Sequence, residues 1–377
     1  MIYFDNAATT RVCKEASEAA LFAMNEAFGN PSSLHGLGIE AEKLINFSKE
    51  QIALAFACNA DEILFTSGAT ESNNMAILGL AANYGKRKKR VVTTAVEHPS
   101  VAEPFEKLIS MGYDVHVITP NINGDITADM IIDAVDDNTC LISAMLVNNE
   151  TGYLLPIAKA FSEIKKYFPE CMTHCDAVQG FEKLPIKAKT LCADAISFSG
   201  HKIYAPKGIG GLYIKKGVRV APLLVGGGQQ KNLRSGTESV PLIYALGKTV
   251  EVLTPTISQR LEKVEKLRSY AISKLSGIDG IVINSKENAS PYILSISLPN
   301  YKSETLLHFL EQSGIYVSSG SACSRGKKSS VLAAFGFNDK LLDSTIRISF
   351  SYDNDEAQID ALASELVRAR DSLTRIK

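Results

Sequence analysis

Residues 193–208 read ADAISFSGHKIYAPKG. The first six form an apolar run of strand length. The chain then turns through Ser199-Gly200 and presents His201 and Lys202 side by side. Lysine is costly to bury, so a lysine in a turn after a strand is ordinarily a solvated surface residue. The neighbouring sequence decides between that reading and a functional one.

From residue 62 to residue 214, short apolar runs alternate with helical patterns. EILFTSG, RVVTTAVEH, YDVHVITP, TCLISAMLV, ECMTHCDAV, DAISFS and GGLYIKK read as strands. A helix starts near Ala69, and PSVAEPFEKLISMG, ITADMIIDAVDD and PIAKAFSEIKKYF read as further helices. Near-continuous apolar strands between helices predict an α/β fold: a mostly parallel sheet flanked by helices. Ligands of such sheets sit at the carboxyl ends of the strands. Polar residues collect at those ends: Thr66 to Thr70, Glu97-His98, Asn148-Asn149-Glu150, Asp176, and Ser199 to Lys202. Polar groups at so many strand ends make Lys202 a site residue.

After GGGQQKNLRSGTES comes a long helical stretch, about 240–275, which connects to a smaller α+β domain. That domain has the strands GIVIN, YILSISL and TIRISFS, the helices SETLLHFLEQSG and EAQIDALASELVRARDSL, and a Ser/Gly loop, VSSGSACSRGKKSS. The expected division is a large cofactor-binding domain over 12–250 and a small domain made of 1–11 with 251–377.

The chain has 377 residues, 45% of them hydrophobic, and a net charge of -1. No basic excess points to nucleic acid. The cluster KRKKR at 86–90 reads as a solvated connection between a helix and a strand. No apolar run is long enough to predict a membrane span. The start, MIYFDNAATT, has the pattern of neither a signal nor a transit peptide, so a cytoplasmic location is expected. The seven cysteines include no C-x-x-C pair and no zinc spacing. On a strand, Cys171 and Cys175 face one side and His174 the other, which favours core packing over a metal site. Cys13, Cys58, Cys140, Cys171, Cys175 and Cys192 fall in helix or strand patterns and read as small buried hydrophobes. Cys323 lies in the Ser/Gly loop.

SGAT opens a helix after a strand, and its backbone N–H groups with the Thr70 hydroxyl suit a phosphate. An ordinary N-cap gives the same pattern. G-x-G-x-x-G and P-loop motifs are absent. Asp176 and Lys202 end successive strands beside this cradle. That set suits pyridoxal 5'-phosphate, with Lys202 attached to the aldehyde and Asp176 paired to the pyridine nitrogen. A structural Asp–Lys pair would leave the cradle and His98 unexplained. His98 is placed to stack on the ring and move protons. His201 is read as a cationic neighbour that lowers the Lys202 pKa and reaches the phosphate.

The chain resembles cysteine desulfurases of the NifS/IscS type, in the class V aminotransferase branch of fold-type I pyridoxal phosphate enzymes. The resemblance runs nearly end to end and rests on FDNAATT, FGNPSS, LFTSGATESNN, EHPSV, VNNETG, CDAVQG, SFSGHKIYAPKGIGGLY, GGGQQKNLRSGT, SSGSAC and TIRISFS. It implies that Lys202 carries the cofactor, Asp176 holds the pyridine nitrogen and His98 stacks on the ring. Gln179 and Asn149 match residues near the ring oxygen. Ala69, Thr70, Ser199 and His201 match the phosphate cradle, and Thr237 a residue reaching the phosphate from the other subunit of a homodimer. Arg347 matches the arginine that clamps the substrate carboxylate, a task suited to bidentate geometry. Cys323, with Arg325, Lys327 and Lys328 close by, matches the cysteine that takes sulfur from L-cysteine as a persulfide.

The sulfur then passes to an acceptor protein, a scaffold or a carrier serving iron–sulfur clusters or thiolated tRNA and cofactors. The segment after Cys323 is shorter than in the best-known members, and no docking tail follows LVRARDSLTRIK. An acceptor that brings its own cysteine close to the loop, or a small thiol, is therefore expected. A selenocysteine lyase, a cysteine sulfinate desulfinase and an aminotransferase share the fold. A non-catalytic scaffold would have no reason to keep the lysine, aspartate, histidine, arginine and loop cysteine together.

Overall fold

A computed structural model describes residues 1–319 and 328–375. Strand β1 (Ile2–Tyr3) opens the chain, and helices α1 (Lys14–Asn25) and α2 (Gly36–Phe56) follow. The α/β stretch then runs β2 (Ile63–Thr66), α3 (Ala69–Tyr84), β3 (Arg90–Thr94), α4 (Pro99–Ser110), β4 (Asp114–Ile118), α5 (Ala128–Asp133) and β5 (Thr139–Met145). It continues through α6 (Ile157–Tyr167), β6 (Met172–Asp176), α7 (Ala188–Leu191), β7 (Ala195–Ser199) and β8 (Gly210–Ile214).

These strands form a seven-stranded sheet in the order β2-β8-β7-β6-β5-β3-β4. Only β8 runs against the others. Every residue of β5, β6 and β7 is buried, because helices cover both faces and the strands need no polar side. The parallel direction brings the carboxyl ends of β2, β3, β5, β6 and β7 to one edge. Close packing there depends on glycine: a Cβ on Gly210 would lie 2.8 Å from Gly68 Cα. Gly68 itself has φ +152 and turns the chain from β2 into α3.

The sequence predicts one helical stretch over 240–275. The structure divides it into α8 (Val240–Leu253) and α9 (Ile257–Ser276), joined by a 3-10 turn, Thr254–Thr256. Pro255 lacks an N–H to continue the helical ladder, which accounts for the break. The remaining elements are β9 (Val282–Ile283), β10 (Ile293–Ser297), α10 (Ser303–Gln312), β11 (Ile315–Tyr316), β12 (Ser318–Ser319), α11 (Ser330–Ala334), α12 (Asp339–Ser344), β13 (Thr345–Ser349) and α13 (Glu356–Ser372).

A second, antiparallel sheet has the order β12-β13-β10-β9, and β1 pairs in parallel with β11. Asp5 bridges to Ser349, so the chain start is stitched to β13 before it runs on toward His201. Among the described residues no helix is long and apolar enough to cross a membrane.

The cysteine reading needs correction. Cys140, Cys171 and Cys175 are buried, but Cys13, Cys58 and Cys192 are only half-buried. Those three sit at or next to helix ends, where packing is looser than inside an element.

Candidate active site

The polar strand ends meet in one cavity of about 800 Å³, also lined by Asp5, Ala7 and Ala8 from the chain start and by Arg347 from β13. The long α3 presents its amino end here, with Ala69 and Thr70 at its first positions. Ser72, one turn in, holds this corner: its hydroxyl lies 2.8 Å from Thr66 Oγ1 and donates to Gly211 O at 2.9 Å. Opposite stands Ser199, 1% exposed, whose Oγ has no hydrogen-bond partner. A buried hydroxyl without a partner is costly, and one at a cavity wall beside a helix amino end fits an oxygen-rich anion.

His201 Nδ1 lies 3.4 Å from Thr9 Oγ1. Burial, followed by Lys202, Lys207 and Lys183, pushes its pKa down to about 4. This corrects the expectation of a cationic His201: near neutral pH the ring is uncharged, a donor or acceptor rather than a charge. A cation that does interact with Lys202 is Lys183.

Asp176 ends β6, directly across from Ser197 of β7, so it and the turn carrying Lys202 follow neighbouring strands. Its carboxylate is fixed on both oxygens. Asn73 Nδ2 donates to Oδ2 at 2.8 Å and the Val178 N–H to Oδ1 at 3.0 Å. Asn73 also donates to Ser100 Oγ at 2.9 Å, and that hydroxyl lies 2.8 Å from His98 Nδ1. The Ser100 N–H donates to the same nitrogen, so Nδ1 is an acceptor and the ring proton belongs on Nε2. Burial lowers the His98 pKa, with Asp176 opposing and Lys202 adding, so the ring is neutral.

Lys202 Nζ donates to the carbonyls of Ala7 and Ala8, each at 2.7 Å. Gln179 Nε2 donates to the same Ala7 carbonyl at 2.8 Å, and its Oε1 accepts from Lys183 at 2.9 Å. Asn148 is committed to its own turn, where its Oδ1 accepts from the N–H groups of Glu150 and Thr151, and Asn149 faces the cavity. Arg347 donates through Nη1 to Asn149 O and through Nη2 to Asp5 Oδ1, both at 2.9 Å, and its buried Nε has no partner.

Ala69, Thr70, His98, Asn149, Asp176, Gln179, Ser199, His201, Lys202 and Arg347 thus line one cavity. Thr237 does not; it is exposed. The arm that bears it is anchored by the Arg234 Nε to Glu71 pair at 2.9 Å. Cys323 lies outside the described residues. Before it, Ser318 reaches the cavity, and after it, Ser329 donates to Glu150 Oε2 at 2.6 Å.

The chain matches the aminotransferase class-V family over residues 2–362. The chain belongs to the class-V aminotransferase family. A NifS/IcsS protein homolog of Lactobacillus delbrueckii subsp. bulgaricus is 40% identical over 380 residues, covering 99% of this chain and 97% of that protein. The cysteine desulfurase IscS of Dictyoglomus turgidum is 38% identical over 352 residues, 92% of this chain and 89% of its own. The solved structure of a NifS-like protein superposes with a TM-score of 0.93 at 36% identity, covering 99% of this chain and all of that one.

In this class-V chain, sequence reasoning passed over Asn73, Ser100, Lys183 and the Ala7 and Ala8 carbonyls. Asn73 stands in a run of polar residues, Thr70 to Asn74, that does not single it out. Backbone carbonyls carry no sequence signal.

Proposed function

We propose that this protein is a pyridoxal 5'-phosphate-dependent cysteine desulfurase: L-cysteine and the Cys323 thiol give L-alanine and a Cys323 persulfide. The juxtaposition of Asp176 and Lys202 after neighbouring strands, in a cavity walled by the partnerless Ser199 hydroxyl, carries this reading. Family membership and the desulfurase named among the relatives agree with it.

The residues fit the cofactor. The amino end of α3, Ala69 and Thr70, with Ser199 and His201, would take its phosphate. Asp176 would hold the pyridine nitrogen, His98 the ring face, and Gln179 and Asn149 the ring oxygen, while Lys202 would carry the group covalently. When bound, the cofactor supplies an electron sink for the substrate's α-carbon.

The chain's own residues do the rest. Asn73 and the Val178 N–H keep the Asp176 carboxyl aimed. Arg347, held by Asp5 and the Asn149 carbonyl, would bind the substrate carboxylate with its remaining donors. Lys202 Nζ would take the proton from the substrate's α-carbon, and neutral His98, with its proton on Nε2, would serve proton movement on the ring face. The Cys323 thiolate would attack the substrate sulfur, whose bond to carbon breaks. The terminal sulfur then leaves to an acceptor protein, supplying iron–sulfur cluster or thiolated product assembly.

A homodimer completes the reading. Thr237 is exposed and would reach the partner's phosphate. Large apolar side chains stand exposed on and between α1 and α2, among them Phe22, Phe28 and Leu34, 48%, 66% and 97% exposed. A second copy of the chain is their expected cover. The reading is tested by adding pyridoxal phosphate and L-cysteine to the purified protein. A visible absorption band, with equal alanine and sulfide in the presence of a reducing thiol and no keto acid, is expected; a protein that stays colourless overturns it.

A further inference from the structure

Lys183 lies in the turns after β6 and is 3% exposed. Among the described residues no carboxylate pairs with it. Its Nζ donates to Gln179 Oε1 at 2.9 Å. The charged groups facing it, Lys202 and Arg347, are both cations, and the ring of Tyr292 lies 5.8 Å from Nζ. A buried lysine without a counter-ion is expensive, and ion pairing does not account for this one.

The chemistry of the contact is directional. An ammonium has donors only, so the atom of Gln179 that meets it must be the carbonyl oxygen. The amide is planar, so its NH2 is turned the other way. There it donates to Ala7 O at 2.8 Å, the carbonyl that also accepts from Lys202 at 2.7 Å. The NH2 carries two hydrogens, and one remains for the cavity that Gln179 lines. Without Lys183 that orientation would rest on the Ala7 carbonyl alone, since a half-turn would set the amide oxygen against it.

We propose that Lys183 is a positioning residue, which by holding the Gln179 carbonyl oxygen acts with the Ala7 carbonyl to keep Gln179 a donor toward the bound cofactor's ring oxygen. The inference rests on the functional reading above. An anionic ring oxygen needs a donor, and an acceptor in that place would repel it. Burial, then Lys202 and Arg347, lower the Lys183 pKa to about 7. The constraint is therefore firm while the ammonium persists. It relaxes as the neutral amine, able to accept as well as donate, replaces it.

The test follows the visible absorption of the full-length, pyridoxal phosphate-loaded protein across pH, for the wild type, Lys183→Met and Lys183→Gln. Both variants should load and, after borohydride reduction, carry the label on Lys202. The midpoint of their pH-dependent spectral change should rise by about one unit, a tenfold change in proton affinity, because the deprotonated chromophore loses a fixed donor and a nearby cation. If the Met variant does not fold, the Gln variant, neutral and free to offer either polarity, decides. An unshifted midpoint in a variant that loads normally overturns the role of Lys183 and leaves the functional reading standing. A wild type that takes up no cofactor overturns the functional reading itself, and this inference with it.

Discussion

Asn73, in the second turn of α3, donates to Asp176 Oδ2 at 2.8 Å and so sets the direction of the carboxylate at the end of β6. The same amide group reaches Ser100, and through it His98, so one buried side chain ties two site residues together.

Replacing it should therefore act on cofactor binding. Asn73→Ala removes a charge-assisted hydrogen bond, an interaction of about 1.5–3 kcal/mol. Affinity for pyridoxal phosphate should fall about tenfold or more. Titration of the apoprotein followed by absorbance measures it; unchanged affinity would show that Asp176 needs no such support.

Lys202→Ala should abolish covalent attachment of the cofactor and all alanine formation. Borohydride reduction and peptide mapping of the wild type should place the label on Lys202. Label on Lys207, which also lines the cavity, would refute the assignment.

Cys323→Ser should separate the two halves of the reaction. The variant should keep the cofactor spectrum and still bind L-cysteine, while sulfide release and the persulfide disappear. Alanine and sulfide at the wild-type rate would exclude Cys323 as the sulfur acceptor.

Glu97 offers a pH test of stability. It is 4% exposed, and its Oε1 accepts from the Thr94 hydroxyl and the Met145 N–H. Burial raises its pKa from 4.5 to about 8, opposed by those two bonds, with Asp176 adding to the rise. The folded state thus keeps a proton that the unfolded chain loses above its ordinary carboxyl pKa, so the contribution of Glu97 is full below pH 4.5 and declines until about pH 8. Glu97→Gln cannot ionise. Its Tm relative to wild type should rise as pH increases across that window; a constant difference would mean that Glu97 is ionised in the fold.

The homodimer predicts that sedimentation gives twice the chain mass and that Thr237→Ala weakens cofactor binding. An active monomer would rule out the shared site.

The rim of Thr70, His98, Asn149, Asp176 and Lys202 was legible without coordinates because its causes are local. Each residue follows an apolar run, and parallel strands bring all such ends to one edge of the sheet. Arg347 was reached only through family resemblance, since its own strand says nothing of where the guanidinium lies. Its partners Asp5 and Asn149 are 342 and 198 residues away in the chain. Lys183 was invisible for the same reason, being an ordinary turn lysine by sequence.

The charge of His201 was misread because the burial that dominates its pKa is not visible in the sequence. Periodicities of two and 3.6 residues are written locally and determine strands, helices and the edge where a ligand sits. Which buried groups meet there, which way an amide faces and which side chains keep a proton depend on contacts between distant segments. Those only the tertiary structure decided, because desolvation and hydrogen-bond geometry belong to the packed site and not to any one stretch of chain.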